Sequence, residues 1–398
     1  QTYPELATDS RPPARRIYIP ALDGVRFLAF FLVFISHYGA GAYRTLWPPL
    51  SHALTIFAGF GWIGVDVFLC LSGFLIATLL LHEIAATGTV SVGRFYARRV
   101  LRIWPLYYLM LVIGFGVAPL LLGQTGTPAY TNLLAKHLFP FATLFGNFSY
   151  AYFNRDLVAM DPSSQFFAPL WTVALEEQFY LLFPLLVAAM PRISTRAALS
   201  GLAGIVVFSA ATRLYILGNG IPYPMVWTNT FGRLDPIALG IAGAIVWHRH
   251  EPALRGLKLY GAEIAAAIGL FVLSMSFPQV GRSLPTVWPR FATGFGALLL
   301  IVGAMRYRPV GAVFGWRPIA WLGKISYGLY VFHILAIWLY TRKMAPYFGF
   351  VSRTLGPLGD LALTLGVTIV LAAASYYLYE RRFLRLKERF TLVASRPS

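Results

Sequence analysis

The chain has 398 residues, 58% of them apolar and only 12% charged, with a mean hydropathy of +0.64. Soluble domains carry about 25% charged residues, so this composition excludes an ordinary soluble domain and places most of the chain in lipid. A net charge of +18 gathered in the loops of a membrane protein needs no nucleic-acid partner, and a single cysteine, Cys70, excludes a disulfide framework and a Cys-based metal site.

Residues 1–19 are polar and Pro-rich, without the short apolar core of a secretory signal, and read as a cytoplasmic tail. Stretches of about 20 apolar residues then predict ten spans, near 20–43, 58–82, 104–122, 170–190, 199–217, 233–248, 260–278, 291–305, 320–341 and 360–379. The run 133–150 is apolar but broken by Lys136, His137 and Pro140, and reads as a surface or half-inserted segment. With the N-terminus inside and the spans alternating, 22 of the 33 Lys and Arg fall on the cytoplasmic side and seven outside. That split is what the positive-inside rule expects. The remaining four lie in or at the ends of spans. The predicted fold is therefore an all-α polytopic membrane protein of about ten transmembrane helices with both termini cytoplasmic. Its transmembrane domain covers 20–380, and 381–398 form a basic cytoplasmic tail.

Arg26 and His37 lie in the first span, eleven residues apart. Eleven helical steps of about 100° bring two side chains within about 20° of one face, and about 16 Å apart along the axis. Ionisable residues inside a membrane helix are costly and mark functional sites. Asp23 stands one turn before Arg26 at i,i+3. The expected topology puts His37, Asp66, Glu176, Glu177, Asp235 and His333 in the outer half of five spans, which predicts a polar chamber opening outward and joined through Arg26 to a basic inner mouth. Adjacent helical residues point about 100° apart, so one glutamate of the pair faces the chamber, and Glu177 is the expected one. Asp66 either joins this chamber or pairs with an arginine, and His333 either lines it or bonds a neighbouring helix. Asn147-Phe-Ser149 has the form of a glycosylation acceptor. At the inner mouth, Arg98, Arg99 and Arg102 open the third span. Taken alone they are either a topology anchor or a site for a polyphosphate ligand, since guanidinium matches phosphate geometry.

Five motifs in order resemble the membrane acyltransferase-3 family, from about Tyr18 to Leu386. Leu22-Asp-Gly-Val-Arg26 with His37 looks like its Arg-x10-His signature, and Gly64-Val-Asp66-Val-Phe-Leu-Cys70-Leu-Ser72-Gly73 resembles its second-span motif. Arg99 and Arg102 match its Arg-x-x-Arg element; Leu170-Trp171-Thr-Val-Ala-Leu-Glu176-Glu177-Gln178-Phe-Tyr180 and Gly323-Lys-Ile-Ser326-Tyr327-Gly-Leu-Tyr330-Val-Phe-His333 are similar to two further motifs. Cys70 stands where the family more often has an apolar residue, and the usual proline after His333 is missing.

The resemblance implies a multi-pass enzyme of the inner or plasma membrane that moves an acyl group, usually acetyl, from coenzyme A to a hydroxyl of an extracytoplasmic carbohydrate or related acceptor. The donor is a substrate, and no tightly bound cofactor or metal is expected. In that frame His37 takes the acceptor proton as general base or transiently carries the acyl group, with Arg26 holding the donor, oriented by Asp23. Arg98, Arg99 and Arg102 bind donor phosphates; Glu177 or Glu176 orients a histidine or the acceptor. Asp66, Ser72, Tyr180 and His333 complete the polar chamber. The rival reading is a transporter or flippase of an anionic or sugar substrate, but no internal repeat and no paired interrupted half-helices in matching halves are visible. Some relatives carry a hydrolase-like domain after the last span. Only about 19 residues follow Tyr379 here, which predicts direct modification of the acceptor or transfer to a separate extracytoplasmic partner.

Overall fold

The structure, a computed structural model, describes residues 18–38, 48–159, 166–189, 193–221, 223–259, 261–275 and 288–391. The tail expected over 1–19 lies outside them except for Tyr18 and Ile19, as do 392–398 at the other end. Arg11, Arg15, Arg16, Arg44, Arg192, Arg282 and Arg396, all used in comparing the two membrane sides, also lie outside.

The described residues are helical throughout, without a strand. In chain order the helices are α1 (Pro20–Tyr38), α2 (Pro48–Gly59), α3 (Ile63–Thr87), α4 (Val92–Val112), α5 (Ala118–Leu121), α6 (Pro128–Leu133), α7 (Phe139–Ala142), α8 (Gly146–Ala159) and α9 (Leu170–Ala189). They continue as α10 (Thr195–Gly218), α11 (Tyr223–Thr228), α12 (Asp235–Gly256), α13 (Ala262–Met275), α14 (Trp288–Arg306), α15 (Arg308–Phe314), α16 (Arg317–Lys324), α17 (Ser326–Leu339), α18 (Gly349–Ser375) and α19 (Arg381–Glu388).

Every predicted span falls on a helix, but not every helix is long and apolar enough to cross a membrane. Among the described residues six are: Pro20–Tyr38, Ile63–Thr87, Val92–Leu121, Leu170–Ala188, Thr195–Gly218 and Gly349–Glu388. Two bent pairs raise the number to eight, Pro289–Arg306 with Arg308–Phe314 at 96° and Arg317–Lys324 with Ser326–Met344 at 74°. Both breaks lie in the C-terminal half, so they are not matching interruptions of two halves. The stretches 233–248 and 260–278 differ from expectation. α13 has only 14 residues, and α12 loses helical geometry at His250 within a polar run, His248-Arg-His-Glu251. The segment 133–150 folds as short helices, with His137 buried beside Phe141 and Phe167. Asn147 is buried, its Nδ2 donating to the Thr228 carbonyl and the Thr230 hydroxyl at 3.0 Å each, so it is closed to glycosylation.

Helix α1 is the centre of the bundle, packed against α3, α14, α15, α16 and α17. Its polar groups therefore meet protein, whereas α10 presents Val207, Phe208 and Tyr215 outward. Small residues let the backbones approach. A methyl group on Gly64 would overlap the Ala29 carbonyl, on Gly240 the Cys70 carbonyl, and on Gly323 the Asp23 carbonyl. The Gly323 contact locks α16 against the turn of α1 that carries Asp23 and Arg26. Gly323→Ala is expected to cost about 1–3 kcal/mol through overpacking, read as a lowered midpoint of thermal unfolding in detergent.

Candidate active site

Asp23 begins the site. Its carboxylate accepts from Arg26 at 2.5 Å and from the Tyr18 hydroxyl at 3.0 Å. This i,i+3 pair, anticipated from the spacing, holds the Arg26 guanidinium at the wall of a large cavity. The cavity encloses about 1430 Å³ of space, part of it open to the surroundings, and runs from Tyr18, Arg99 and Arg102 to Thr172 and Tyr330. Mostly apolar walls with a few convergent polar groups are the usual character of a ligand site. Midway along it Ser72 of α3 donates to the Glu176 carboxylate, and Tyr180, one turn on in α9, bonds both. The Arg99 guanidinium lies over the Tyr180 and Phe95 rings at 5.2 and 5.6 Å.

Glu177 does not line this cavity. Its Oε2 accepts from the Trp104 indole at 2.8 Å, which turns it toward α4 and gives the cavity to Glu176. The expectation that Glu177 is the inward glutamate is thus reversed. The spacing required the two to diverge, but only the position of Trp104 says which way α9 is rotated.

His37 and His333 form a second cluster beyond the cavity. Their rings meet edge to face with centroids 5.0 Å apart. His37 is exposed at the edge of the bundle, and His333 is fully buried. His37 Nδ1 lies 2.9 Å from the Val33 carbonyl and His333 Nδ1 2.5 Å from the Tyr330 carbonyl. A carbonyl only accepts, so each Nδ1 carries the proton and each Nε2 keeps its lone pair. Tyr330 joins the two regions: its ring is 5.5 Å from that of His333, its hydroxyl accepts from Thr172 at 2.9 Å, and it lines the cavity. The expected single chamber opening outward is therefore corrected. The large cavity lies toward the arginine end, and the histidine pair stands apart from it across Tyr330.

Asp66 belongs to neither. It is fully buried, ion-paired to Arg233 at 2.8 Å and to Arg290 at 3.5 Å, and it accepts from Thr293 at 2.8 Å. Arg290 lies against Trp62 and Trp227, 4.2 and 3.8 Å from their ring centroids. Asp235 is held by both terminal nitrogens of Arg213 at 2.9 and 3.1 Å. Of the two readings open for Asp66, pairing with arginine is the one realised, and Asp235 is likewise removed from the chamber. Sequence reasoning gave Arg213, Arg233 and Arg290 no role. Three span arginines alongside two span aspartates were the available signal, since a buried charge needs a partner.

At the arginine end, Arg98 donates to Glu83 and to the Phe390 carbonyl at 3.0 Å each, while Arg99 and Arg102 face the cavity.

Comparison with known proteins follows these motifs. The protein YrhL of Bacillus subtilis, named provisionally as a peptidoglycan O-acetyltransferase, is 27% identical over 382 residues, covering 92% of this chain and 54% of its own. The peptidoglycan O-acetyltransferase OatA of Listeria monocytogenes is 27% identical over 333 residues, covering 82% and 50%. A Staphylococcus aureus protein named provisionally as an O-acetyltransferase is 26% identical over 397 residues, covering 96% and 59%. The chain thus spans a little over half the length of the curated relatives it matches. No solved structure matches it. The acyltransferase domain model of the acyltransferase-3 type matches residues 19–379, nearly the whole chain, and the chain belongs to that family.

Proposed function

We propose that the chain is a multi-pass membrane O-acyltransferase that moves an acetyl group from acetyl-coenzyme A to a hydroxyl of an extracytoplasmic glycan, with peptidoglycan favoured by the names of the relatives. It rests in the inner or plasma membrane with ten spans and both termini cytoplasmic. The arginine end then faces the cytoplasm, where coenzyme A is found, and the His37 end faces outside. The observation that carries the reading is the histidine pair with exposed His37, set across Tyr330 from an arginine-lined cavity.

Arg99 and Arg102 receive the donor phosphates, and the thioester arm runs along the cavity past Arg26. His37 Nε2 removes the acceptor hydroxyl proton. The resulting oxygen attacks the thioester carbonyl carbon, the carbon–sulfur bond breaks, and the departing thiolate takes the proton from His37. Arg26, about 16 Å from His37 along α1, holds the donor arm at the cavity wall and not the reacting carbonyl. Rotation of the Tyr330 side chain opens the cavity to the histidines. The acetyl group goes directly to the acceptor or to a separate extracytoplasmic partner.

The test is release of coenzyme A by the full chain in lipid nanodiscs, given acetyl-coenzyme A and a peptidoglycan fragment. Acceptor-dependent release with an ester on the glycan supports the proposal; no release with any glycan acceptor sinks it. The two glutamates give a sharper check. Glu176→Gln is expected to lower kcat/KM by about 10–100-fold, matching the roughly 1.5–3 kcal/mol of hydrogen bonds to a charged group. Glu177→Gln keeps an acceptor for Trp104, so it stays within a few-fold of wild type. The reverse order would return the cavity role to Glu177.

A further inference from the structure

Next to the large cavity lies a smaller one of about 530 Å³ of space, much of it open to the surroundings, and the two share Ile76, Leu79, Arg99 and Arg102 as walls. The smaller cavity is closed on the far side by Lys387 of α19 and by Thr391. The packing that brings Lys387 there is built in. Helix α19 lies against α4, and Arg98 ties the residues just after α19 to α4 through its bond to the Phe390 carbonyl. Four cations thus surround one small space. Only one is neutralised nearby: buried Glu83 accepts from Arg98 and from the Ser91 backbone N–H at 2.8 Å, which uses both its oxygens. Neither Arg99, Arg102 nor Lys387 forms an ion pair among the described residues, and the Arg99 Nε is buried without a hydrogen-bond partner there. Buried cations are retained where they meet an anion. The remaining wall, Ile76, Leu80 and Phe95, is apolar and suits a flat base.

We infer that this second cavity is a nucleotide-phosphate subsite, in which Lys387 joins Arg99 and Arg102 around the phosphoryl groups of the donor while the thioester arm enters the first cavity. The inference rests on the acyl-coenzyme A reading above. Two planar guanidinium forks and one compact ammonium provide directional and point-charge contacts together, a combination suited to a diphosphate plus a further phosphate. Anionic phospholipid headgroups share this chemistry, and the experiment separates them from the nucleotide.

The experiment uses the full chain in nanodiscs of phosphatidylcholine alone or with phosphatidylglycerol. Adenosine 3′,5′-bisphosphate is the binding probe, and acetyl-coenzyme A is compared with S-acetylpantetheine, which has the arm but no nucleotide. Lys387→Glu is expected to weaken the bisphosphate at least tenfold in both lipids, and Lys387→Arg to hold it within about threefold, which controls for folding. The ratio of kcat/KM for acetyl-coenzyme A to that for S-acetylpantetheine falls at least tenfold in Lys387→Glu. Unchanged bisphosphate affinity and an unchanged ratio, with both thioesters turned over, overturn the subsite and leave the acyltransferase reading standing. Bisphosphate binding that responds to Lys387, with neither thioester consumed by wild type, keeps the subsite and overturns that reading. A Lys387-dependent preference for phosphatidylglycerol with no bisphosphate binding assigns the cavity to lipid and overturns the inference.

Discussion

His37→Ala is expected to reduce acetyl transfer by about 10²–10⁴-fold, the usual contribution of a general base, while the protein stays folded. The two halves of this result have separate structural causes. The loss follows from removing the exposed Nε2 lone pair whose tautomer is set by the Val33 carbonyl. The unchanged stability follows from the position of His37 at the edge of the bundle, where truncation leaves no enclosed cavity. His37→Gln keeps a group able to donate to Val33 yet supplies no base, so it should be as inactive as the alanine variant. His333→Ala is different: the ring is fully buried against Phe30 and Tyr330, so it loses stability as well as rate. The check is transfer rate alongside the unfolding midpoint. His37 variants with wild-type rates end the base assignment, and a hydroxylamine-labile acetyl group trapped on His37 moves it to acyl carrier.

Asp66→Ala is expected to have the largest effect on stability, about 3–5 kcal/mol, the cost of breaking a buried ion pair from one side. The substitution leaves Arg233 without its carboxylate and takes the Thr293 hydroxyl partner from α14. Arg290 keeps its two tryptophan faces, so part of its charge remains accommodated. The measurement is the yield of monodisperse protein and its unfolding midpoint in detergent. A midpoint within a degree or two of wild type would mean that Asp66 is not what holds α3 to α14 and to the turn before α12. Because Asp66 lines no part of the donor cavity, the fraction that folds should keep its affinity for coenzyme A.

Much of the site could be read from periodicity within one helix, and little of it from contacts between helices. The Asp23–Arg26 pair follows from i,i+3 spacing and is present. The shared stripe of Arg26 and His37 also follows from spacing. Its partner His333 comes from α17, almost 300 residues later, and no local pattern links them. Glu176 and Glu177 illustrate the same limit: their divergence is a property of α9, its direction a property of α4. The span count went further than length and composition support at α12 and α13. α12 is enclosed by α3, α10 and α14, whereas α13 packs on α14 and presents Ile268, Val272 and Leu273 outward. The Arg-rich mouth was legible as charge, whereas the part of Lys387 depends on where α19 lies down.

The pairing of Asp66 with Arg290 also constrains how the chain is made. The two residues are 224 positions apart, and at about 5–20 residues per second the ribosome takes on the order of 10–45 s to get from one to the other. Until Arg233 is made, earlier than Arg290, α3 carries an unpaired carboxylate in its first turn, a charge that would cost about 2.5–3.5 kcal/mol at the centre of a lipid-exposed helix. Arg213 waits a shorter time for Asp235, only 22 residues later. The first turn of α3 is therefore expected to sit shallow, with Asp66 near water, until the turn before α12 and then α14 bring the arginines that pair its charge. Fragments ending before Arg233 are accordingly expected to be less stable in the membrane than the full chain, because Asp66 has neither arginine in them.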